Sequence, residues 1–186
     1  NPGDEIRFID WNVTARMGSP YIRQYREQRE RTVMIVLDAS QSSNFGSTDR
    51  FKRELSAEIS AVIAFAATNN NDKVGLIIFT DKIELYVPPR KGRTHVLRII
   101  REMIAFNSSG SGTDIKLALE TINRVLSKHS IVFLISDFLT SAENYSQSIS
   151  ITNRRHDVIA IDVHDPLEKN IPSMGLVMLK DSETTE

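Results

Sequence analysis

Three short runs set the frame for this chain: "TVMIVLD" (32–38), "KVGLIIF" (73–79) and "SIVFLISDF" (130–138). Each centres on an unbroken apolar stretch rich in Val, Ile, Leu and Phe. A strand with one face in water alternates apolar with polar residues. A run apolar on both faces belongs in the middle of a sheet that is covered on both sides, as parallel sheets are. Helical patterns lie between the runs. In "STDRFKRELSAEISAVIAFAATNNND" (47–72), Phe51, Leu55, Ile59, Val62 and Ala66 recur at helical spacing. Ser47 or Thr48 caps the start, and the Asn run with its Asp marks the stop.

The alternation continues to the end of the chain. "IELYV" (83–87) is a short strand expected antiparallel to 73–79, and "PPRKGR" (88–93) is a loop. "THVLRIIREMIAF" (94–106) is an amphipathic helix, "NSSGSG" (107–112) a polar loop, and "TDIKLALETINRVLSKH" (113–129) the next helix. A weaker helix covers about 141–154, "DVIAIDV" (157–163) is a strand, and "GLVMLKD" (175–181) is an edge strand. Strand and helix in this order predict an α/β, doubly wound, Rossmann-like fold. Its central sheet is mostly parallel, flanked by helices, with one antiparallel strand. Residues 32–186 form this domain. Residues 1–31, rich in Arg and aromatics and holding the single Trp, are an N-terminal extension expected to pack on it. Trp11, with Phe8, Ile9 and Val13, is expected to anchor that extension in the core.

Bulk numbers narrow the function classes. The 186 residues suit one domain, and a chain of that length buries roughly 70% of its unfolded surface without staples. There are no cysteines, which excludes thiol nucleophiles and thiolate zinc sites and fits a reducing compartment. The net charge of -1 gives no sign of a nucleic-acid or membrane surface. No apolar run is long enough to span a bilayer, and no signal peptide is visible. The expected location is cytoplasmic. The chain starts at Asn1 without Met, so it is expected to be a piece of a longer protein, in which a membrane anchor could precede it.

In an open α/β sheet, ligands bind beyond the carboxyl ends of the strands. Three polar clusters fall there: Asp38, Ser40 and Ser42 after the first strand, Thr113 with Asp114 at a loop-to-helix junction, and Ser136 with Asp137 after the third apolar run. Only oxygen donors arrive. Such a set suits a hard divalent cation, magnesium first, with manganese or calcium as alternatives. The alternation in D-x-S-x-S lets an extended segment point three side chains one way. Asp38, Ser40, Ser42, Thr113 and Asp137 bring only two carboxylates; if hydroxyls take the direct positions and the acids bind through water, a bound cation stays electrophilic and takes a carboxylate from outside. Asp114 is expected to serve the start of its helix, and Ser136 to bond backbone at the strand end. The serines alone would equally suit a polar turn; Thr113 and Asp137 in the right places favour the metal.

These five residues, "DASQS", the Thr of "SGTD" and the Asp of "LISDF", resemble the metal-ion-dependent adhesion site of von Willebrand factor type A domains. A narrower resemblance covers nearly the whole chain. "GDEIRFIDWNVTAR", "YIRQYREQRERTVMIVLDAS", "VGLIIFTDKIELYVPPRKG", "RRHDVIAIDVHDPLE" and "LKDSET" are similar to the bacterial family called domain of unknown function fifty-eight. That family joins an N-terminal signature to a type A core and is encoded beside MoxR-type AAA+ ATPases. Many members carry Met or Phe where this chain has Ser43, which removes no ligand. The resemblance implies a non-enzymatic, metal-dependent protein-interaction module whose partner, a MoxR-type ATPase or its substrate complex, supplies the missing carboxylate. Arg90, Lys91 and Arg93 are a candidate partner surface.

Two other readings compete. One is an interaction scaffold whose metal site is dispensable. The other is a metal-assisted hydrolase, weakened by the absence of an evident base. A triad of Ser40, His164 and Asp137 lacks the G-x-S-x-G elbow. "NSSGSG" lacks the G-K-[ST] ending of a phosphate loop. His156 is expected to be structural.

Overall fold

The computed structural model describes residues 9–19, 21, 30–40, 52–108, 110 and 112–165. Five strands form one sheet: β1 (Thr32–Asp38), β2 (Lys73–Phe79), β3 (Ile83–Arg90), β4 (Ile131–Ser136) and β5 (Asp157–Asp162). Their spatial order is β3-β2-β1-β4-β5. β1 runs parallel to both β2 and β4, β4 runs parallel to β5, and β3 is antiparallel to β2. The fold class expected from the sequence is the one observed. The expected edge strand 175–181 and most of 1–31 lie outside the described residues.

Double-sided burial explains the unbroken apolar strands. Val33, Ile35 and Leu37 of β1 enter one core with Val74, Leu76 and Ile78 of β2. That core is closed by α2 (Lys52–Asn69) and α3 (Arg93–Ala105). Met34 and Val36 enter the other with Ile77 and Phe79. There α4 (Ile115–Val125) closes the face, and Ile149 of α5 (Ser146–Arg155) packs beside it. At about 25 cal/mol per Å² of apolar surface removed from water, these two layers are the main source of stability.

The structure corrects four local expectations. Most of the expected apolar stripe of α2 is not its buried face: Leu55, Val62 and Ala66 are exposed and only Ile59 packs partly against the core, while Lys52, Ser56, Ser60, Ala64 and Ala67 are buried. Small side chains bring the helix axis close to the strands. β3 continues through Pro88 and Pro89 to Arg90, so the first half of "PPRKGR" is strand and not loop. It is an edge strand, where prolines cost no ladder donor, and its pairing shifts register between Val74 and Leu76. α4 begins at Ile115 and ends at Val125, leaving Thr113 outside the helix. Trp11 does not anchor in the core: it lies in α1 (Trp11–Met17) at 61% exposure, and that helix has no buried residue. Among the described residues, the segment before β1 ties to the core at Glu30, which pairs with Lys91 and Lys73, and at Arg31, whose N–H donates to Asp72.

Candidate metal centre

From β1 the chain moves to β2 on one side and later to β4 on the other, so strand order reverses between β1 and β4. The crevice beyond their carboxyl ends is where such sheets hold ligands. Asp38 is the last residue of β1, and the Leu37–Ile135 pairing sets Ser136 beside it. Asp137 follows directly. Two of the predicted ligands therefore meet by strand register alone.

Asp38 is 4% exposed and held from two directions. Its Oδ1 accepts from the Ser40 N–H at 2.9 Å, and its Oδ2 accepts from the Ser136 hydroxyl at 2.6 Å. Ser136 thus bonds a carboxylate in addition to the backbone contact expected for it, which it makes by accepting from the Phe138 N–H. Burial pushes the Asp38 carboxyl above the usual carboxylate range; the Ser136 and Ser40 hydrogen bonds oppose this, and the charge of Asp137 adds to it. Ser40 is fully buried next to Asp38.

Asp137 sits on a turn with unusual backbone. Phe138 has φ +51°, the left-handed region that a bulky residue enters only under constraint. Its N–H is taken by the Ser136 hydroxyl at 3.1 Å, and its ring lies 6.1 Å from that of Tyr145. The turn aims Asp137 inward, where its Oδ2 accepts from the Lys52 ammonium at 2.9 Å, with both side chains at or below 5% exposure.

Thr113 arrives on a separate segment fixed to the end of β2. The Asp114 N–H donates to the Thr80 carbonyl at 2.8 Å, and the Asp114 carboxylate caps α4 by accepting from the Leu117 N–H at 2.8 Å. Asp114 thus serves the start of its helix, as expected, and does so as the N-cap. Glu84 at the start of β3 accepts from the Gly110 N–H at 2.8 Å and from the Thr80 hydroxyl at 3.1 Å. A Cβ on Gly110 would land on Thr80 Oγ1 and Asp81 Oδ1, and 2.7 Å from Thr80 Cβ, so only glycine fits beneath this loop. Ser42 lies outside the described residues. His164 pairs with Asp162. His156 is 1% exposed beneath α5, as a structural residue would be.

Among the described residues, no three His, Cys, Asp or Glu side chains are grouped to hold a metal. A centre here would rest on Asp38 and Asp137 with hydroxyls from Ser40, Ser42 and Thr113. That donor chemistry fits a hard cation: it is all oxygen, and it includes a buried carboxylate whose charge burial disfavours. Sequence reasoning missed Lys52, Glu84 and Thr80. Lys52 begins the stripe Lys52, Ser56, Ser60, whose spacing lies on one helix face but whose polar composition does not mark it as buried.

Arg90, Lys91 and Arg93 are elsewhere. Arg90 pairs with Val74 at the start of β2, whereas Asp38 pairs with Phe79 at its end. The basic corner therefore occupies the end of the sheet opposite the crevice.

The family model for "Protein of unknown function DUF58" matches residues 1–186. The chain belongs to the DUF58 family. An uncharacterised protein of Mycobacterium tuberculosis, Rv1480, is 32% identical over 185 residues, which is 98% of this chain and 58% of the relative. The chain thus spans 58% of the length of that curated relative. Solved structures share the fold. An aerotolerance-related membrane protein from Bacteroides fragilis superposes with a TM-score of 0.63 at 18% identity, covering 72% of this chain and 67% of that one. BatB from Bacteroides thetaiotaomicron gives 0.60 at 17%, covering 71% and 66%. Proximal thread matrix protein 1 from mussel byssus, in a form with a zinc-occupied MIDAS motif, gives 0.56 at 17%, covering 72% and 38%. The architecture of this DUF58 chain is that of a von Willebrand factor type A domain. No helix among its described residues is long and apolar enough to cross a membrane.

Proposed function

We propose that this DUF58 domain is a protein-recognition module without catalytic activity, and that a divalent cation, magnesium first, mediates its contact. The observation that carries the reading is the buried Asp38, held by Ser136 and Ser40 at the crevice where strand order reverses. Asp38, Ser40, Ser42, Thr113 and Asp137 would hold the cation. With hydroxyls in the direct positions and the two acids binding through water, the cation would stay electrophilic and take a carboxylate from a partner's Asp or Glu. The zinc-occupied motif of the byssus protein supports a cation at this place in the fold. The resemblance to proteins encoded beside MoxR-type AAA+ ATPases supplies the partner class, and the cytoplasm is where such an encounter would occur.

The test is binding of the chain to a purified MoxR-type ATPase, by biolayer interferometry, in magnesium and in EDTA. Binding is expected to weaken at least about 10-fold in EDTA, and to the same extent in Asp38→Ala with magnesium present. Equal binding of Asp38→Ala and wild type would refute the metal bridge. A scaffold reading is favoured by one observation, the exposure of Trp11 and Met17 on α1, since exposed Trp is the usual anchor of an interface. It predicts loss of binding in Trp11→Ala and in Arg90→Ala, with EDTA inert.

A further inference from the structure

Lys52 is the least expected residue of the crevice. It lies in the first turn of α2, where the helix dipole disfavours a cation. Lysine is rarely buried unless paired, yet its side chain is only 5% exposed. The remaining buried residues of α2 are Ser56, Ser60, Ala64 and Ala67, so the ammonium is the one charge that this helix carries into the protein. It bonds Asp137 Oδ2 at 2.9 Å, the carboxylate predicted to close the metal site. Asp137 in turn neighbours Ser136, which bonds Asp38. One positive charge thus already stands among the acids that would receive a divalent cation.

We infer that the Lys52 ammonium is an internal competitor for the divalent cation at Asp137, so that metal loading requires the lysine to leave and turns it out toward the mouth of the crevice. This rests on the metal reading given above. The physical reason is direct. An ammonium and a divalent cation sharing one carboxylate in a poorly solvated site repel each other strongly. Without metal, Lys52 keeps Asp137 compensated; with metal, two positive charges compete for that carboxylate. The domain then has two states, one closed by its own lysine and one open to an acidic partner, and Lys52 sets how much cation is needed to pass between them.

Two measurements on the full chain test this. Isothermal titration calorimetry with magnesium and with manganese compares wild type, Lys52→Met and Lys52→Arg. Lys52→Met is expected to bind at least about 10-fold tighter than wild type, and Lys52→Arg to stay near wild type. Acetic anhydride labelling of wild type, mapped by mass spectrometry, gives a readout that needs no variant. Lys52 is expected to be protected without metal and modified at saturating magnesium, with the other lysines unchanged. Equal affinities of wild type and Lys52→Met, or continued protection of Lys52 in a magnesium-loaded chain, overturn the inference and leave the metal site standing. If neither wild type nor Lys52→Met binds either cation, the metal reading fails and this inference with it. If Lys52→Met does not fold, the labelling of wild type decides alone.

Discussion

Gly110→Ala tests how the loop bearing Thr113 is held. The added methyl would sit 2.7 Å from Thr80 Cβ and on top of the Thr80 hydroxyl and the Asp81 carboxylate, where ordinary contact needs more than an ångström extra. Thr80 cannot yield easily, because its carbonyl accepts from Asp114 and its N–H donates to the Lys82 carbonyl. The loop must therefore lift, which breaks the 2.8 Å bond from the Gly110 N–H to Glu84. Losing a hydrogen bond to a charged group costs about 1.5–3 kcal/mol, and forcing a methyl into packed space about 1–3 kcal/mol. At about 2–4 °C per kcal/mol for a domain of this size, the melting temperature should fall by about 5–24 °C. Thermal unfolding followed by circular dichroism measures it. Glu84→Gln, which keeps the shape but weakens the acceptor, should show a smaller drop in the same direction. A fall under about 2 °C for Gly110→Ala would mean that the loop is not pinned at this point and that the placement of Thr113 needs another cause.

Two further outcomes follow from the buried polar groups. Ser136→Ala removes the 2.6 Å bond to Asp38 and the acceptor of the Phe138 N–H, so it should cost about 1.5–3 kcal/mol and lower the melting temperature by about 3–12 °C. Differential scanning calorimetry at pH 7 checks this, and an unchanged melting point would show that Asp38 finds an equal partner elsewhere. His156 is 1% exposed, and neither ring nitrogen has a hydrogen-bond partner among the described residues. Burial, then the charges of Arg155 and His129, hold its pKa below 6.5. Above that value both folded and unfolded chains keep the ring neutral; below it the unfolded chain takes a proton that the folded chain resists, so stability falls as pH drops through the mid-sixes. Melting temperatures of wild type and His156→Phe between pH 7.5 and 5.5 should diverge, wild type losing more; parallel curves would remove His156 from the acid response.

What could be read from the sequence was decided by how uniform the surroundings of each residue are. β1, β2 and β4 were legible because burial on both faces leaves an apolar run with no ambiguity. Their ends were legible because Asp38 and Asp137 interrupt that apolarity abruptly. The face of α2 was not, since a stripe of Ser and Ala with one Lys is apolar in context and polar in composition, while Leu55 and Val62 mimic a core face in water. β3 was cut short because Pro88 and Pro89 look like loop until the strand is known to be an edge. Lys52, between Phe51 and Arg53 in the sequence, reads as solvated charge; its carboxylate lies 85 residues away, a separation that no local pattern reveals. The roles of Gly110 and Glu84 likewise depend on where β3 turns back against β2.

That turning back has a geometric consequence. Among the described strands, β3 alone runs against the others, starting near the Thr113 loop and finishing at the basic corner. Its 8 residues span about 27 Å at strand rise. A molecule grasping Arg90 and Lys91 and another seated in the crevice would hold opposite tips of one strut, too far apart to collide. On the readings proposed above, a contact at one end would leave the residues of the other end accessible.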